Sequence, residues 1–389
     1  MGFELTPEHE LIQQTVSEIA GQYDESYWQD VRMNERFAEE LYQDLADGGW
    51  LGLPFPEELG GEEMGLTEVV LVMEALAEEG AWELSGALIL SLIFGGIGLV
   101  EHGTDEQISR YVPDIIDGKS KWAIAVTEPD AGSNTANIST VAERDGDEFV
   151  VNGHKQFISG LELADRMLLL ARTAPPGEGD SPFDGMTMFI VDPEADGVEY
   201  SEIPLDIYYR DRTFDVHLDD VRLAEDQVLG EVGEGMYQMF ATLNTERITA
   251  AAEAWGMGRW SLDRAVAQAN ERVVWDEPIG AHQAIQHPLA DAHADLVSSK
   301  HLTREAAWRY DNDVGNVGEI SNIANLQAGK AAWAACEAAM TTFGGMSVAA
   351  ELGLGAAWGT VRHYRTAPVS EEMIRNYIAQ HSLGLPRSY

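Results

Sequence analysis

The sequence predicts an α+β multidomain chain: an N-terminal helical domain over residues 1–120, a middle β domain over 121–232 and a C-terminal four-helix bundle over 233–389. Three observations predict it. Apolar residues recur at helical spacing in the first and last parts of the chain. The middle part changes to short apolar runs separated by turn dipeptides. Gly and Pro pairs punctuate the helical stretches of the first part. A chain of 389 residues is long enough for several cores.

In the first part, helical spacing covers residues near 6–21, 34–47, 67–79 and 105–117, with Gly48-Gly49, Pro54, Pro56 and Gly60-Gly61 as punctuation. Thr104 followed by Gln107 has the form of a capping box. Residues 84–100 carry no charge but include Gly86, Gly95, Gly96 and Gly98. A span needs about 20 apolar residues, so this shorter stretch reads as a buried core helix. The middle part offers strands at 122–126, 148–151, 167–171, 186–191 and 214–218, with Asp145-Gly146, Asn152-Gly153 and Asp196-Gly197 as turns. A sandwich or a barrel satisfies that pattern. The last part returns to long helices at about 234–271, 284–311 and 319–343, and a fourth starting near Ser370. Four long helices predict a bundle.

The chain carries 67 acidic against 24 basic residues, a formal charge of -43, yet 45% of it is hydrophobic. That apolar share argues against disorder. The charge argues against nucleic acid or an anionic membrane as partner. A lone Cys336 excludes a disulfide framework and a Cys-rich metal site, and it points to a reducing compartment. The start lacks a basic, apolar leader, so a cytoplasmic location is expected. The acids are scattered, as on a solvated surface adapted to concentrated salt. They are unevenly divided: net charges are -22, -16 and -5 over 1–120, 121–232 and 233–389. The nearly neutral bundle is therefore expected to be covered by another copy of the chain. His287, His293, Asp291 and Asp295 read as a polar helix face rather than a metal site.

Two stretches carry the most specific signal. Residues 125–134 run from a strand into a Gly/Ser loop through Val126, Thr127, Glu128, Pro129, Asp130, Ala131, Gly132 and Ser133. Its N–H groups and hydroxyls suit a phosphate or a flavin ring. Residues 151–160 read as a hairpin in which Phe157 lies beside a hydroxyl, Ser159. An apolar face with a hydrogen-bonding tip suits an isoalloxazine.

This pair of motifs resembles the acyl-CoA dehydrogenase flavoproteins. The likeness runs nearly end to end, through Pro56-Glu57-Glu58-Leu59-Gly60-Gly61, Glu101-His102-Gly103-Thr104, Asp219-Asp220-Val221-Arg222, Glu271-Arg272, His282-Gln283 and Phe343-Gly344-Gly345. The resemblance implies a middle β-barrel, bound FAD, an acyl-CoA substrate, a homotetramer, and an electron-transferring flavoprotein as acceptor. It places Val126, Thr127, Gly132, Ser133, Phe157, Ile158 and Ser159 at the flavin, with Ser133 also near substrate. Phe157 stands where the family usually has Trp, and Ser159 where it has Thr. The resemblance further implies that Arg272, His282 and Gln283 reach FAD on a neighbouring subunit, and that Gly344 and Gly345 lie near its adenine half. After Arg272 the family's Phe-Gly-Lys becomes Trp275-Asp276-Glu277.

Forming a double bond beside a thioester requires a base for the α-proton, and desolvation raises such a base towards neutrality. Many family members carry that Glu near the C-terminus, where this chain has Pro368. The isovaleryl and long-chain branch carries it on a bundle helix directly before an Arg, and this chain has Glu246-Arg247 at the matching place. Periodicity supports the position independently, because Met239, Leu243, Glu246 and Ala250 share one helix face. Glu246 is the expected catalytic base, with Arg247 as electrostatic support. Glu371 is the fallback, at a helix N-terminus whose dipole lowers a carboxylate pKa. Two other functions fit the same fold: an oxidase or monooxygenase-like enzyme passing electrons to oxygen, and, because of Pro368, a silent acyl-CoA-binding protein.

Overall fold

The computed structural model describes residues 5–387 apart from 176, 178, 179, 209 and 210. The first helices are α1 (Pro7–Ala20), α2 (Glu25–Met33), α3 (Glu39–Asp47) and α4 (Leu66–Glu78). Local chemistry starts two of them. Thr6 accepts from the His9 N–H at 3.2 Å, and Asp24 accepts from Ser26 and Tyr27 at 2.9 and 3.1 Å. No N-cap side chain of its own closes the start of α4. Asp311, from the far end of the chain, does so by accepting from the Leu66 and Thr67 N–H groups at 2.7 and 2.9 Å. The start of this helix is thus completed only when the bundle docks.

A continuous rod follows, made of α5 (Ser85–Leu88), a π-wound segment (Ile89–Ile97) and α6 (Gly98–His102). It includes the uncharged stretch expected as a core helix. By length and composition Trp82–His102 could cross a membrane, but 83% of its apolar window is buried within the protein. The glycines permit this burial. A Cβ on Gly96 would stand 2.3 Å from the Phe55 ring, and one on Gly95 2.8 Å from Trp122. Helix α7 (Asp105–Ile116) opens with the expected capping box, in which Thr104 and Gln107 bond reciprocally at 3.2 and 3.0 Å.

Eight strands come next: β1 (Trp122–Ala125), β2 (Val141–Asp145), β3 (Glu148–Ser159), β4 (Arg166–Arg172), β5 (Met186–Val191), β6 (Val198–Glu202), β7 (Thr213–Ala224) and β8 (Val228–Leu229). They form one mixed sheet in the order β6-β7-β3-β2-β4-β5-β8, with β1 parallel to β4. Alternation along β4 and β5 gives the sheet two apolar faces. Met167, Leu169, Phe189 and Val191 join Phe149 and Val216 in the sheet's own core. Leu168, Leu170, Met188 and Ile190 face the helical core. The expected barrel is thus a sheet around its own core, and among the described residues no ladder joins β6 to β8.

One expected turn is corrected. Asn152-Gly153 lies inside β3 at a bulge, not in a hairpin loop. The strand runs on because Gly153 packs against Thr140, whose Oγ1 lies 2.3 Å from where a Cβ would be. Strands β2 and β6 are absent from the sequence pattern because each exposes most of its short length to solvent.

The bundle begins with α8 (Gly235–Glu271), followed by a small hairpin of β9 (Val273–Val274) and β10 (Glu277–Pro278). Helices α9 (Gln283–Asp311) and α10 (Val317–Phe343) complete its long members. Close α8–α10 contact needs Gly258, whose missing Cβ would meet Ala332 Cα at 2.8 Å. The fourth long helix is a second correction. A helix does start at Ser370, but it is short, α12 (Glu371–Tyr377), running into a π turn at Ile378–Ser382, and a further short helix, α11 (Leu354–His363), precedes it. Gly344, Gly353 and Pro368 divide the chain before α12, and Gly384 at φ 64° with Pro386 follows its end.

Candidate active site

Glu246 projects from α8 on the face that buries Met239 and Ala250. It is half-buried. Loss of hydration pushes its carboxyl up to about 8, against the weaker pull of the Arg247 charge. Among the described residues no hydrogen bond or ion pair within 4.0 Å engages that carboxylate. Arg247 engages Asn244, a turn earlier on α8, which is itself held by α10. Its Nη1 donates to Asn244 Oδ1 at 3.3 Å, Ser321 Oγ donates to the same oxygen at 3.1 Å, and Asn325 Nδ2 reaches the Arg247 carbonyl at 3.4 Å. Burial lowers the Arg247 pKa, and its Nε is buried without a partner among the described residues. Arg247 is therefore a charge beside Glu246 rather than its salt-bridge partner.

Glu371 has the opposite setting. Its buried carboxylate is held between Arg365 Nε and Arg375 Nη2 at the first turn of α12. The Arg365 hydrogen bond, joined by the one from Arg375, holds its pKa below the usual carboxylate range in spite of desolvation. Pro368, three residues earlier, offers no N–H to a substrate oxygen.

The structure brings the two motif stretches together. Gln156 N–H donates to the Thr127 carbonyl at 2.9 Å, and Thr127 Oγ1 donates to the Gln156 carbonyl at 2.5 Å. Val126 and Thr127 are half-buried, while Gly132 and Ser133 are exposed at the loop tip. No atom lies within 4 Å of where a Gly132 Cβ would be. Beside them Phe157 is held at φ 60°, within a break of the β3–β7 register, with 60% of its surface exposed. An aromatic residue in this region of φ costs about 1–3 kcal/mol and persists only where the surroundings enforce it. Ile158 next to it is buried, and Ser159 Oγ lies 3.3 Å from Thr213 Oγ1. An outward-facing ring, a nearby hydroxyl and an open glycine tip fit a planar cofactor that carries an anionic tail.

A second set lies on the bundle. Arg272, Gln283, Gly344 and Gly345 are exposed, and half-buried His282 has a buried Nε2 with no hydrogen bond. Neither Gly344, at φ 58°, nor Gly345 has an atom within 4 Å of where a Cβ would stand, so this corner is open. Among the described residues no hydrogen bond or ion pair links this set to the strand set within one chain. Sequence reasoning passes over Glu128 and Lys155 as site residues. Both stand inside the motifs, and in the structure they form a buried pair at 2.9 Å. The same stretches contain the signal, an acid in one and a base in the other. Cys336 is a buried packing residue near Ser261, and among the described residues no group of His, Cys, Asp or Glu forms a metal site.

Helix–sheet–helix architecture, an acid of raised pKa on a bundle helix and an open sheet loop suit an oxidoreductase of the flavoprotein type. Comparison with known proteins gives the particular family. Models of the acyl-CoA dehydrogenase N-terminal, middle and C-terminal domains match residues 6–119, 123–221 and 233–383. The chain is 39% identical over 383 residues to the acyl-CoA dehydrogenase FadE12 of Mycobacterium tuberculosis, covering 98% of this chain and 97% of that protein. It is 32% identical over 311 residues to a 3-(aryl)acrylate reductase of Clostridium sporogenes, covering 79% and 80% of the two chains. The solved glutaryl-coenzyme A dehydrogenase in complex with glutaryl-CoA superposes with a TM-score of 0.93 at 26% identity, covering 100% of this chain and 98% of that one. The chain belongs to the acyl-CoA dehydrogenase family of FAD-dependent oxidoreductases.

Proposed function

We propose that this protein oxidises an acyl-CoA thioester to its α,β-unsaturated form, with Glu246 as the base. The observation that carries the proposal is the partner-free carboxyl of Glu246, raised to about 8 by its apolar helix face. A base of that strength takes the α-proton of a thioester far more readily than an ordinary surface carboxylate. The proton moves to a Glu246 carboxylate oxygen, and the electron pair it leaves forms the α,β double bond as a hydride departs from the β-carbon. FAD, when bound, would supply the acceptor for that hydride. Arg247 moderates the acid by its nearby charge. Glu371 is unsuited to the task, because two guanidinium groups already hold it ionised and engaged.

The strand set, Val126, Thr127, Gly132, Ser133, Phe157, Ile158 and Ser159, would hold the flavin, with Ser133 also near the substrate. Arg272, His282, Gln283, Gly344 and Gly345 are assigned to FAD on a second copy, which also covers the nearly neutral bundle. That makes the working enzyme an oligomer, with a homotetramer as the expected form. Electrons leave to an electron-transferring flavoprotein, in the cytoplasm. The -43 charge suits a salty interior, and the unfolding midpoint is expected to rise in molar KCl; greater stability in low salt would remove this reading.

Anaerobic addition of acyl-CoA thioesters of graded length tests the reaction, read as bleaching of the flavin absorbance. Wild-type protein is expected to bleach with at least one chain class, whereas Glu246→Gln keeps its yellow colour. Equal bleaching by that variant would remove Glu246 from the mechanism. Peroxide formation in air would reassign the enzyme as an oxidase.

A further inference from the structure

The flavin loop has a neck as well as a tip. Residues 129–138 leave the sheet after Glu128 and return at Ser139 and Thr140. One carboxylate joins both ends. Glu128 Oε2 accepts from the Ser139 N–H at 2.7 Å and its hydroxyl at 2.6 Å. Glu128 Oε1 accepts from the Thr140 N–H at 3.0 Å, its hydroxyl at 2.6 Å and Lys155 Nζ at 2.9 Å. The same ammonium donates to the Val126 carbonyl at 3.0 Å. Both side chains are sealed from solvent, Lys155 at 0% exposure and Glu128 at 3%. Burial drives the Glu128 pKa up, but the Lys155 charge and the hydroxyl donors outweigh it and hold it at about 2. Glu128 is thus charged and fully engaged at working pH.

A buried ion pair adds little net stability compared with apolar residues of similar size, so such a pair is explained better by the geometry it fixes. Here the geometry is specific. Lys155 sits two residues before Phe157, and its ammonium fixes the peptide between Val126 and Thr127. Arg172 fixes the returning limb, donating from Nε to the Ile138 carbonyl at 2.8 Å and from Nη2 to the Ala136 carbonyl at 2.6 Å.

We propose that Glu128 and Lys155 are positioning residues for the flavin: their buried pair locks the loop bearing Gly132 and Ser133 to the strand bearing Phe157, so that the two motifs act as one cofactor clamp. This rests on the reading that FAD lies between those stretches. It accounts for the acid in one motif and the base in the other, which the contacts expected with the cofactor leave unexplained.

The test measures the FAD dissociation constant of refilled apoprotein, the unfolding midpoint of that apoprotein and the visible circular dichroism of bound flavin. Lys155→Met leaves Glu128 buried without its partner, so both affinity and midpoint are expected to fall. The double variant Glu128→Leu with Lys155→Met removes both charges. It is expected to recover much of the midpoint, yet to bind FAD at least about tenfold more weakly than wild type and with an altered dichroism spectrum. A purely structural role predicts that affinity recovers along with the midpoint, and affinity within twofold of wild type in the double variant overturns the proposal. If neither variant folds, Ser139→Ala and Thr140→Val decide, since each keeps the ion pair and removes one hydroxyl. Severalfold weaker FAD binding at an unchanged midpoint supports the clamp, and unchanged affinity in both overturns it. Wild-type apoprotein that takes up no FAD would instead refute the cofactor assignment itself.

Discussion

Glu246 and Glu371 are the same residue type in the same bundle, yet their surroundings give them opposite acidities. On α8 the Glu246 carboxyl meets apolar packing and one nearby cation, and its pKa rises to about 8. At the start of α12 the Glu371 carboxylate meets two guanidinium groups, and its pKa falls. Burial alone therefore does not make a base. Both groups lose water, but only Glu371 receives hydrogen bonds in return, and those bonds decide the sign. A buried acid with full compensation is a structural element; one without it is free to exchange a proton with a substrate.

The largest test of this contrast is Glu246→Gln, expected to slow flavin bleaching by roughly 10²–10⁴-fold while FAD stays bound, as followed by anaerobic stopped-flow absorbance. Equal slowing in Glu371→Gln would erase the distinction. That second variant should instead lose about 1 kcal/mol of stability in urea unfolding, because Gln keeps one acceptor oxygen but loses the negative charge that faces Arg365 and Arg375, and the folded fraction should keep its turnover. The effect of pH separates the two acids again. For wild type, kcat/KM should rise with pH through about 8 as Glu246 ionises. Arg247→Gln should move that midpoint upward, since removing a nearby cation disfavours the carboxylate.

Stability should respond to pH with opposite signs at the two sites. Glu246 has a folded pKa above its unfolded value, so its contribution is present in acid and is lost as pH rises towards about 8. Glu371 has a lowered folded pKa, so its contribution is present at neutral pH and is lost as pH falls below the ordinary carboxylate range. Unfolding midpoints measured across pH for wild type and the two Gln variants should show each slope disappear in turn. The smallest effect is that of salt. Molar KCl should weaken the contribution of Glu371, because Arg365 and Arg375 are partly exposed and so screened, and should leave the kcat/KM midpoint near 8 almost unmoved.

Much of the scaffold is legible in residue order because its signals are local. The Thr104–Gln107 capping box, the 3.6-residue stripe around Glu246 and the Asp145-Gly146 turn all depend on neighbours within a few positions. Signals that depend on distant partners mislead. Asn152-Gly153 has turn chemistry, but packing against Thr140 keeps it in β3. The last helix starts at Ser370 as expected but stops after two turns, ahead of Gly384 and Pro386. Short strands β2 and β6 bury too little to leave a periodic trace.

Residue order by itself determined the helix–sheet–helix plan, the two motif stretches and the helix face that carries Glu246, because periodicity and turn chemistry act over short distances. Tertiary structure alone decided which acid has its pKa raised, which has it lowered and which charges are sealed together. Whether Glu246 keeps water, whether Glu371 meets Arg365, and whether Glu128 finds Lys155 depend on segments brought together by folding. Desolvation and hydrogen bonding are properties of that assembled surrounding, not of any residue alone.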